Sequence, residues 1–145
     1  MTTIIGLASD HAGFEMKEYI RHLLDKQGIQ TVDFGAYSAE SVNYADYGHR
    51  LARAIESGEV SKGIAVCGSG NGINMTLNKH AAIRSALCWN DEIVRLARAH
   101  NDANVMALPG RFLPLEATDA MVAIFLNTPF EGGRHQTRID AIPCH

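Results

Sequence analysis

The sequence predicts an α/β fold built on a parallel sheet of five strands. Short apolar segments of strand length alternate along the chain with longer segments whose apolar residues recur at helical spacing. That alternation is typical of parallel strands joined by crossover helices. The 145 residues contain no linker, internal repeat or low-complexity segment. A single domain covering residues 1–145 is therefore expected.

The predicted elements follow one another in strict alternation. Strands are predicted at 4–9, 30–34, 64–67, 84–88 and 105–108, and helices at 14–27, 44–57, 73–79, 91–100 and 115–126. The first helix is amphipathic, because Phe14, Tyr19 and Leu23 share one face. Gly28 and Gly58 end the first two helices, since glycine is common directly after a helix.

In the second half of the chain, individual residues indicate where the predicted strands and helices begin and end. Residues 64–67 are apolar and too few for a helix, which indicates a buried strand. Asn90 fits a helix N-cap, and Asp91 and Glu92 would place negative charge in the first turn. Residues 109–110, Pro-Gly, turn the chain before the last predicted helix.

The segment from Gly63 to Gly72 contains the third predicted strand and the glycine-rich loop that leads to the next helix. Gly68, Gly70 and Gly72 allow positive φ angles, so the backbone can direct its N–H groups at an anion or oxyanion. The positive end of the following helix dipole favours the same ligand. A thiol at Cys67 should then lose its proton more easily. An equally supported interpretation is a glycine-rich connection in which Cys67 is a small buried hydrophobe.

Polar residues follow the first, third and fifth predicted strands, where ligands bind in open parallel sheets. They are Asp10 and His11, residues 67–72, and Arg111, while His100 and Asn101 close the helix before the fifth strand. Each has an ordinary alternative, since Asp10 can be a helix cap and His100 can complement a helix dipole. Arg134 and Arg138 lie one helical turn apart and could clamp a phosphate, although an exposed basic face is the commoner explanation.

Composition excludes several functional classes. The net charge of −3 and the lack of a basic block make nucleic acid a poor partner. No apolar run approaches the roughly 18 residues of a membrane span, and no secretion signal is visible, so the cytoplasm is the expected compartment. The three cysteines are odd in number and far apart, which argues against disulfides and against a cysteine-based zinc site.

A dinucleotide fingerprint is the rival interpretation of the glycine segment. Asp91 lies about 20 residues after it, near the position of a ribose-binding acid. The third glycine comes one residue early, however, and the segment follows the third strand instead of the first. A phosphate-loop match also fails, because no Gly-Lys-Ser/Thr follows.

Five segments together resemble the ribose-5-phosphate isomerase type B family, which includes allose- and galactose-6-phosphate isomerases. The matching segments are 8–14, 66–72, 78–79, 100–105 and 131–135, in the order and spacing of that family. The chain departs from it at 43–46, which read Asn-Tyr-Ala-Asp where Asp-Tyr-Pro-Asp is common. It also has Ile73 where one branch carries a glutamate base, which leaves Cys67 as the candidate base.

The resemblance implies a Rossmann-like, three-layer α/β/α sandwich with a five-stranded parallel sheet. It implies an aldose–ketose isomerase without cofactor or metal, converting ribose 5-phosphate and ribulose 5-phosphate through an enediolate. The expected assembly is a homodimer or dimer of dimers with shared active sites, in which the segment from about 128 contributes phosphate and dimer contacts. Alternatives are a six-carbon sugar-phosphate isomerase and, ranked lower, an NAD(P)-dependent oxidoreductase or a non-catalytic sugar-phosphate binder.

The resemblance also implies roles for individual residues. Cys67 would move the proton between C1 and C2, Ser69 would help stabilise the enediolate, and His100 with Asp10 would open the sugar ring. His11, Arg134 and Arg138 match phosphate contacts. The substrate-binding positions are Asp10, His11, Tyr44, Gly68, Ser69, Gly70, Asn71, Gly72, Asn101, Arg111, Arg134 and Arg138.

Overall fold

The computed structural model describes residues 3–144, and a five-stranded parallel sheet forms their centre. The strands are β1 (Ile4–Ser9), β2 (Gln30–Asp33), β3 (Lys62–Cys67), β4 (Ser85–Leu87) and β5 (Val105–Pro109). The helices are α1 (Phe14–Lys26), α2 (Tyr44–Glu56), α3 (Asn71–Leu77), α4 (Asp91–Ala99), α5 (Ala117–Asn127) and α6 (Arg134–Asp140). The strand order is β2-β1-β3-β5-β4, with every pair parallel. The predicted α/β class and five-stranded sheet are confirmed.

The helices cover both faces of the sheet, which gives the three-layer sandwich. Large side chains such as Leu7, Val66 and Leu108 point to one face and form a core with α1, α4 and α5. The other face is lined by smaller residues and packs against α2 and α3. There, Gly6 and Gly63 leave room for Leu51, because a Cβ on either would lie within 3 Å of its side chain.

Most element boundaries differ from the sequence-based predictions by one or two residues, and three elements illustrate why. The helix α3 begins at Asn71 instead of 73, so part of the predicted loop is its first turn. The edge strand β4 is only three residues long, instead of the predicted 84–88. A turn at 114–116 precedes α5, which delays its start to Ala117.

A sixth helix, α6, lies where only a polar segment was predicted. It has seven residues, and two of them, His135 and Ile139, are buried one turn apart. Such a short helix offers too few apolar positions for periodicity to show in the sequence.

The exposed edge of the sheet at β4 is closed by a side chain. The Asn78 amide donates to the Ser85 carbonyl oxygen at 2.9 Å and accepts from the Ser85 N–H at 2.8 Å. Asn78 therefore takes the place of a neighbouring strand at this residue. Among the helices within residues 3–144, none combines the length and apolarity needed to cross a membrane.

Candidate active site

Three adjacent strands end side by side and create a pocket at the carboxyl edge of the sheet. In the register, Ser9 of β1 pairs with Val66 of β3, and Cys67 pairs with Pro109 of β5. The residues that follow these strand ends therefore meet at one place. The cavity is about 560 Å³ and is lined by Asp10, His11, Ala12, Tyr44, Cys67, Gly68, Ser69, Gly72, Arg111 and Phe112.

The loop after β3 presents unpaired backbone N–H groups beside this pocket. No acceptor within residues 3–144 takes the N–H groups of Ser69, Gly70 or Gly72. The Asn71 N–H is used internally, because it donates to Ser69 Oγ at 3.2 Å. Since that hydroxyl accepts through its oxygen, its own O–H is available to a ligand. The arrangement can stabilise a negatively charged oxygen.

The glycines of this loop are required by close approach as well as by conformation. Gly70 has φ of 78°, and a Cβ there would lie 2.5 Å from Leu87 Cδ1 and 3.1 Å from the Leu108 carbonyl carbon. A Cβ on Gly72 would overlap the Tyr44 ring, and one on Gly68 would lie 3.1 Å from Arg111 Nη1. The missing side chains thus let Tyr44 and Arg111 lie directly against the loop.

Cys67 is buried and still lines the pocket. It is the last residue of β3, only 4% of its surface is exposed, and its carbonyl oxygen accepts from the Gly110 N–H at 2.9 Å. Its position combines the two interpretations of the sequence, since the residue packs in the core and also faces the cavity. Cys88 differs, because burial raises the pKa of its thiol to about 12 and keeps it protonated.

Asp10 and His11 are both anchored by backbone N–H groups. Asp10 Oδ1 accepts from the Gly13 N–H at 3.0 Å, so this carboxylate holds the turn before α1 while it lines the pocket; the N-cap of α1 itself is Gly13. His11 Nδ1 accepts from the Val42 N–H at 3.1 Å. The ring therefore carries its proton on Nε2, which can donate a hydrogen bond to a ligand in the pocket. Arg111 is the arginine that lines the cavity.

Four predicted site residues lie away from this pocket within the same chain. His100 and Asn101 lie in the connection from α4 to β5. This connection meets the amino end of β3, because the Gly63 N–H donates to the Asn104 carbonyl oxygen. His100 and Asn101 lie at the amino edge of the sheet, about 16 Å from the carboxyl edge at roughly 3.3 Å per residue of β5. Arg134 and Arg138 are on α6, which joins the same edge because the His135 ring stacks on His100 at 4.2 Å. The sequence suggested that His100 and Asp10 act together, but a single chain does not bring them close to each other.

Ala12 and Phe112 line the pocket but were not identified from the sequence. Phe112 follows Arg111 and is 75% exposed. Its place next to a predicted binding residue was a usable signal, because the whole turn after β5 lies at the carboxyl edge. Two predicted site residues, Gly70 at the end of the loop and Asn71 at the start of α3, do not line the cavity wall.

The fold and the pocket define an α/β protein with a glycine-rich loop of free N–H groups at the carboxyl edge of its sheet. Residues 5–142 match the model of the Ribose/Galactose Isomerase family, and the chain belongs to that family. It is 40% identical over 139 residues to "Ribose-5-phosphate isomerase B" of Escherichia coli K12, covering 95% of this chain and 93% of the other.

Solved structures agree with this assignment. Ribose-5-phosphate isomerase B from Clostridium thermocellum has a TM-score of 0.95 and 43% identity, covering 97% of this chain and 95% of that one. The Mycoplasma genitalium enzyme, solved with bound ribulose-5-phosphate, has a TM-score of 0.92 and 36% identity, covering 98% and 95%.

Proposed function

We propose that this protein is an isomerase that interconverts ribose 5-phosphate and ribulose 5-phosphate. One observation carries the proposal: the Cys67 thiol and the free N–H groups after β3 meet in a single pocket. The relatives add support, since those named ribose-5-phosphate isomerase B align with almost the whole chain, and one was solved with ribulose-5-phosphate bound.

The pocket contains the groups that proton transfer between C1 and C2 requires. Cys67 is the base that takes the proton from one carbon and returns it to the other. The resulting enediolate carries negative charge on oxygen, and the N–H groups of the loop with the Ser69 hydroxyl stabilise it. One such donor is worth roughly 3–4 kcal/mol of transition-state stabilisation in other enzymes.

Binding the phosphate and opening the sugar ring need further residues. Arg111 and the Nε2–H of His11 offer two contacts within the pocket. Asp10 also lines the pocket and can exchange protons during ring opening. Its expected partner His100, however, lies at the opposite edge of the sheet in the same chain. We therefore infer a homo-oligomer in which a second chain supplies His100, Asn101, Arg134 and Arg138.

Exposure of these residues supports a site shared between chains. Arg134 and Arg138 are exposed on α6, and His100 is half-buried, so all three can reach a second chain. Large apolar side chains are also exposed, with Phe112 at the pocket and Met75 on α3. Covering such residues is a usual reason for association.

Strand order argues against the dinucleotide-binding alternative. In a dinucleotide fold, the strand that carries the ribose-binding acid lies directly beside the glycine-loop strand. Here β5 separates β3 from β4, and Asp91 follows β4 at the edge of the sheet.

A substrate panel tests the proposal. Purified protein is incubated with ribose 5-phosphate, allose 6-phosphate or galactose 6-phosphate, and ketose formation is followed by absorbance. We expect the highest kcat/KM with ribose 5-phosphate. Preference for a six-carbon phosphate would correct the substrate, and absence of turnover with tight sugar-phosphate binding would leave a binding protein. Binding of NAD(P) without pentose phosphate binding would overturn the isomerase assignment.

A further inference from the structure

Three metal-ligating side chains converge at the amino edge of the sheet, away from the pocket. They are His100, directly after α4, and Glu131 and His135 from the segment that leads into α6. The Glu131 N–H donates to the Ala99 carbonyl oxygen at 2.9 Å, which fastens this segment to the end of α4. Gly132 and Gly133 have φ of 69° and 58° and reverse the chain, which brings His135 back over His100.

The donor atoms of this cluster are close to one another and not otherwise used. Glu131 Oε1 lies 3.5 Å from His135 Nε2 and 3.9 Å from His100 Nε2. One ligand atom from each residue lies within 4.8 Å of the other two. In the part of the chain that the structure describes, no hydrogen bond joins these three side chains to any other group.

The two separations from Glu131, 3.5 and 3.9 Å, are near those of a zinc site. Zinc binds imidazole nitrogen and carboxylate oxygen at about 2.0–2.2 Å, which places tetrahedral ligand atoms about 3.3–3.6 Å apart. Two histidines and one glutamate form a known ligand set for zinc, with a fourth position left open. The two rings are now stacked with 13° between their planes, so one must turn to direct its nitrogen at the ion. His100 is 38% exposed and has room to do so.

A second group of two histidines and one glutamate differs from this cluster, because its side chains are already joined by hydrogen bonds. His49 Nδ1 lies 2.7 Å from His80 Nε2, and His80 Nδ1 is hydrogen-bonded to Glu56. Both nitrogens of His80 are therefore occupied, and the three side chains form a linear chain of hydrogen bonds. Metal binding there would have to break those bonds, whereas the cluster at His100 loses none.

We infer that His100, Glu131 and His135 form a binding site for zinc or a similar borderline divalent cation, and that occupancy inhibits the enzyme. Binding depends only on the cluster. Inhibition rests on the proposed function, because it follows from the metal taking the nitrogen with which His100 would act on the sugar ring. Mg²⁺ should have no such effect, because it prefers oxygen ligands.

Binding is tested by calorimetric titration of the purified protein with ZnCl₂, with Co²⁺ absorption as a probe of tetrahedral coordination. We expect one zinc per chain in the wild type. Glu131→Gln and His135→Gln should each weaken binding by roughly 10-fold or more, as loss of a ligand costs at least as much as loss of its outer-shell partner. Glu131 is exposed, so its glutamine variant should fold normally.

Two matched variants serve as controls for this titration. His80→Gln removes a histidine from the hydrogen-bonded group, and Cys67→Ser removes the pocket thiol, so both should keep the wild-type zinc affinity. The inference is overturned if Glu131→Gln and His135→Gln bind zinc as the wild type does. It is also overturned if the wild type binds no zinc at millimolar concentration, or if Cys67→Ser abolishes binding.

Inhibition is tested separately by the isomerase assay with ZnCl₂ or MgCl₂, followed by a chelator. Zinc should inhibit reversibly, and Glu131→Gln should need roughly 10-fold more zinc for the same inhibition. Equal zinc sensitivity of the wild type and this variant would contradict the inhibitory role. If the protein lacked isomerase activity altogether, the proposed function would fail while the calorimetric result would still decide whether the metal site exists.

Discussion

At the scale of single residues, Cys67 is buried in the core and also lines the pocket. The thiol ends a core strand, so its position is fixed by packing, and the free N–H groups of the next residues are close to it. Cys88, also buried, has no access to that pocket, and the raised pKa of its thiol keeps it neutral. The two thiols thus differ in environment because they lie at the ends of different strands and pack on opposite faces of the sheet.

Cys67→Ser should lower the isomerisation rate by about 10²-fold or more, the low end for general base catalysis, because a serine hydroxyl does not ionise near neutral pH. Substrate binding should change little, since the side chain keeps its approximate size. Steady-state kcat and KM for ribose 5-phosphate give the measurement. Cys144→Ser is the control, since Cys144 is exposed and lies outside the pocket. A near wild-type kcat in Cys67→Ser would place the base elsewhere, with Asp10 the next candidate.

At the scale of elements, α6 has two faces with different tasks. His135 and Ile139 attach the helix to its own chain, while Arg134 and Arg138 are exposed. The sequence indicated the two arginines by their spacing but not the helix, because seven residues with two buried positions carry no clear period. The strands were more predictable, since runs such as Ile4–Ser9 are buried along almost their whole length.

Arg138→Ala should raise KM for ribose 5-phosphate much more than it lowers kcat, because a phosphate clamp far from the reacting carbons holds ground state and transition state alike. Thr137→Ala, on the same exposed side of α6, should leave both constants unchanged. The two variants are compared by steady-state kinetics. An unchanged KM in Arg138→Ala would show that this arginine does not bind the phosphate of the substrate.

The Asn78 side chain is an element-scale feature that stabilises the sheet edge. Asn78→Ala removes two hydrogen bonds to Ser85 and should lower the free energy of unfolding by roughly 1–3 kcal/mol. Denaturant unfolding of this variant and of Lys79→Ala, its exposed neighbour, measures the difference. Equal free energies of unfolding for Asn78→Ala and Lys79→Ala would contradict this prediction, because water would then replace the two hydrogen bonds of the amide without loss of stability.

At the scale of the whole molecule, the candidate site is divided between two edges of one sheet. The carboxyl-edge residues could be predicted because every parallel strand ends at that edge, so Asp10, Cys67 and Arg111 had to meet. His100 precedes β5 and belongs by the same rule to the amino edge. In the proposed oligomer, what a second chain would place beside the pocket depends on surfaces that local patterns in one sequence do not encode.

Mixing two inactive variants tests whether the site is shared between chains. Cys67→Ser and His100→Asn should each be nearly inactive alone. After unfolding and refolding together, half of the dimers should be mixed, and one of their two sites should hold both native residues. Recovered activity should therefore approach about a quarter of wild type in a two-fold symmetric dimer. Activity no higher than the sum of the two variants would show that each site belongs to one chain.

The side-chain cover on β4 also bears on how copies of this protein can associate. An open edge strand offers N–H and C=O groups on which another sheet can grow, which leads to uncontrolled polymerisation. In a strand of only three residues, the Asn78 amide already occupies both outward groups of Ser85. Growth of a continuous sheet across this edge is thereby blocked. In the proposed oligomer, copies would therefore meet away from this edge, where assembly can be limited to a defined number of chains.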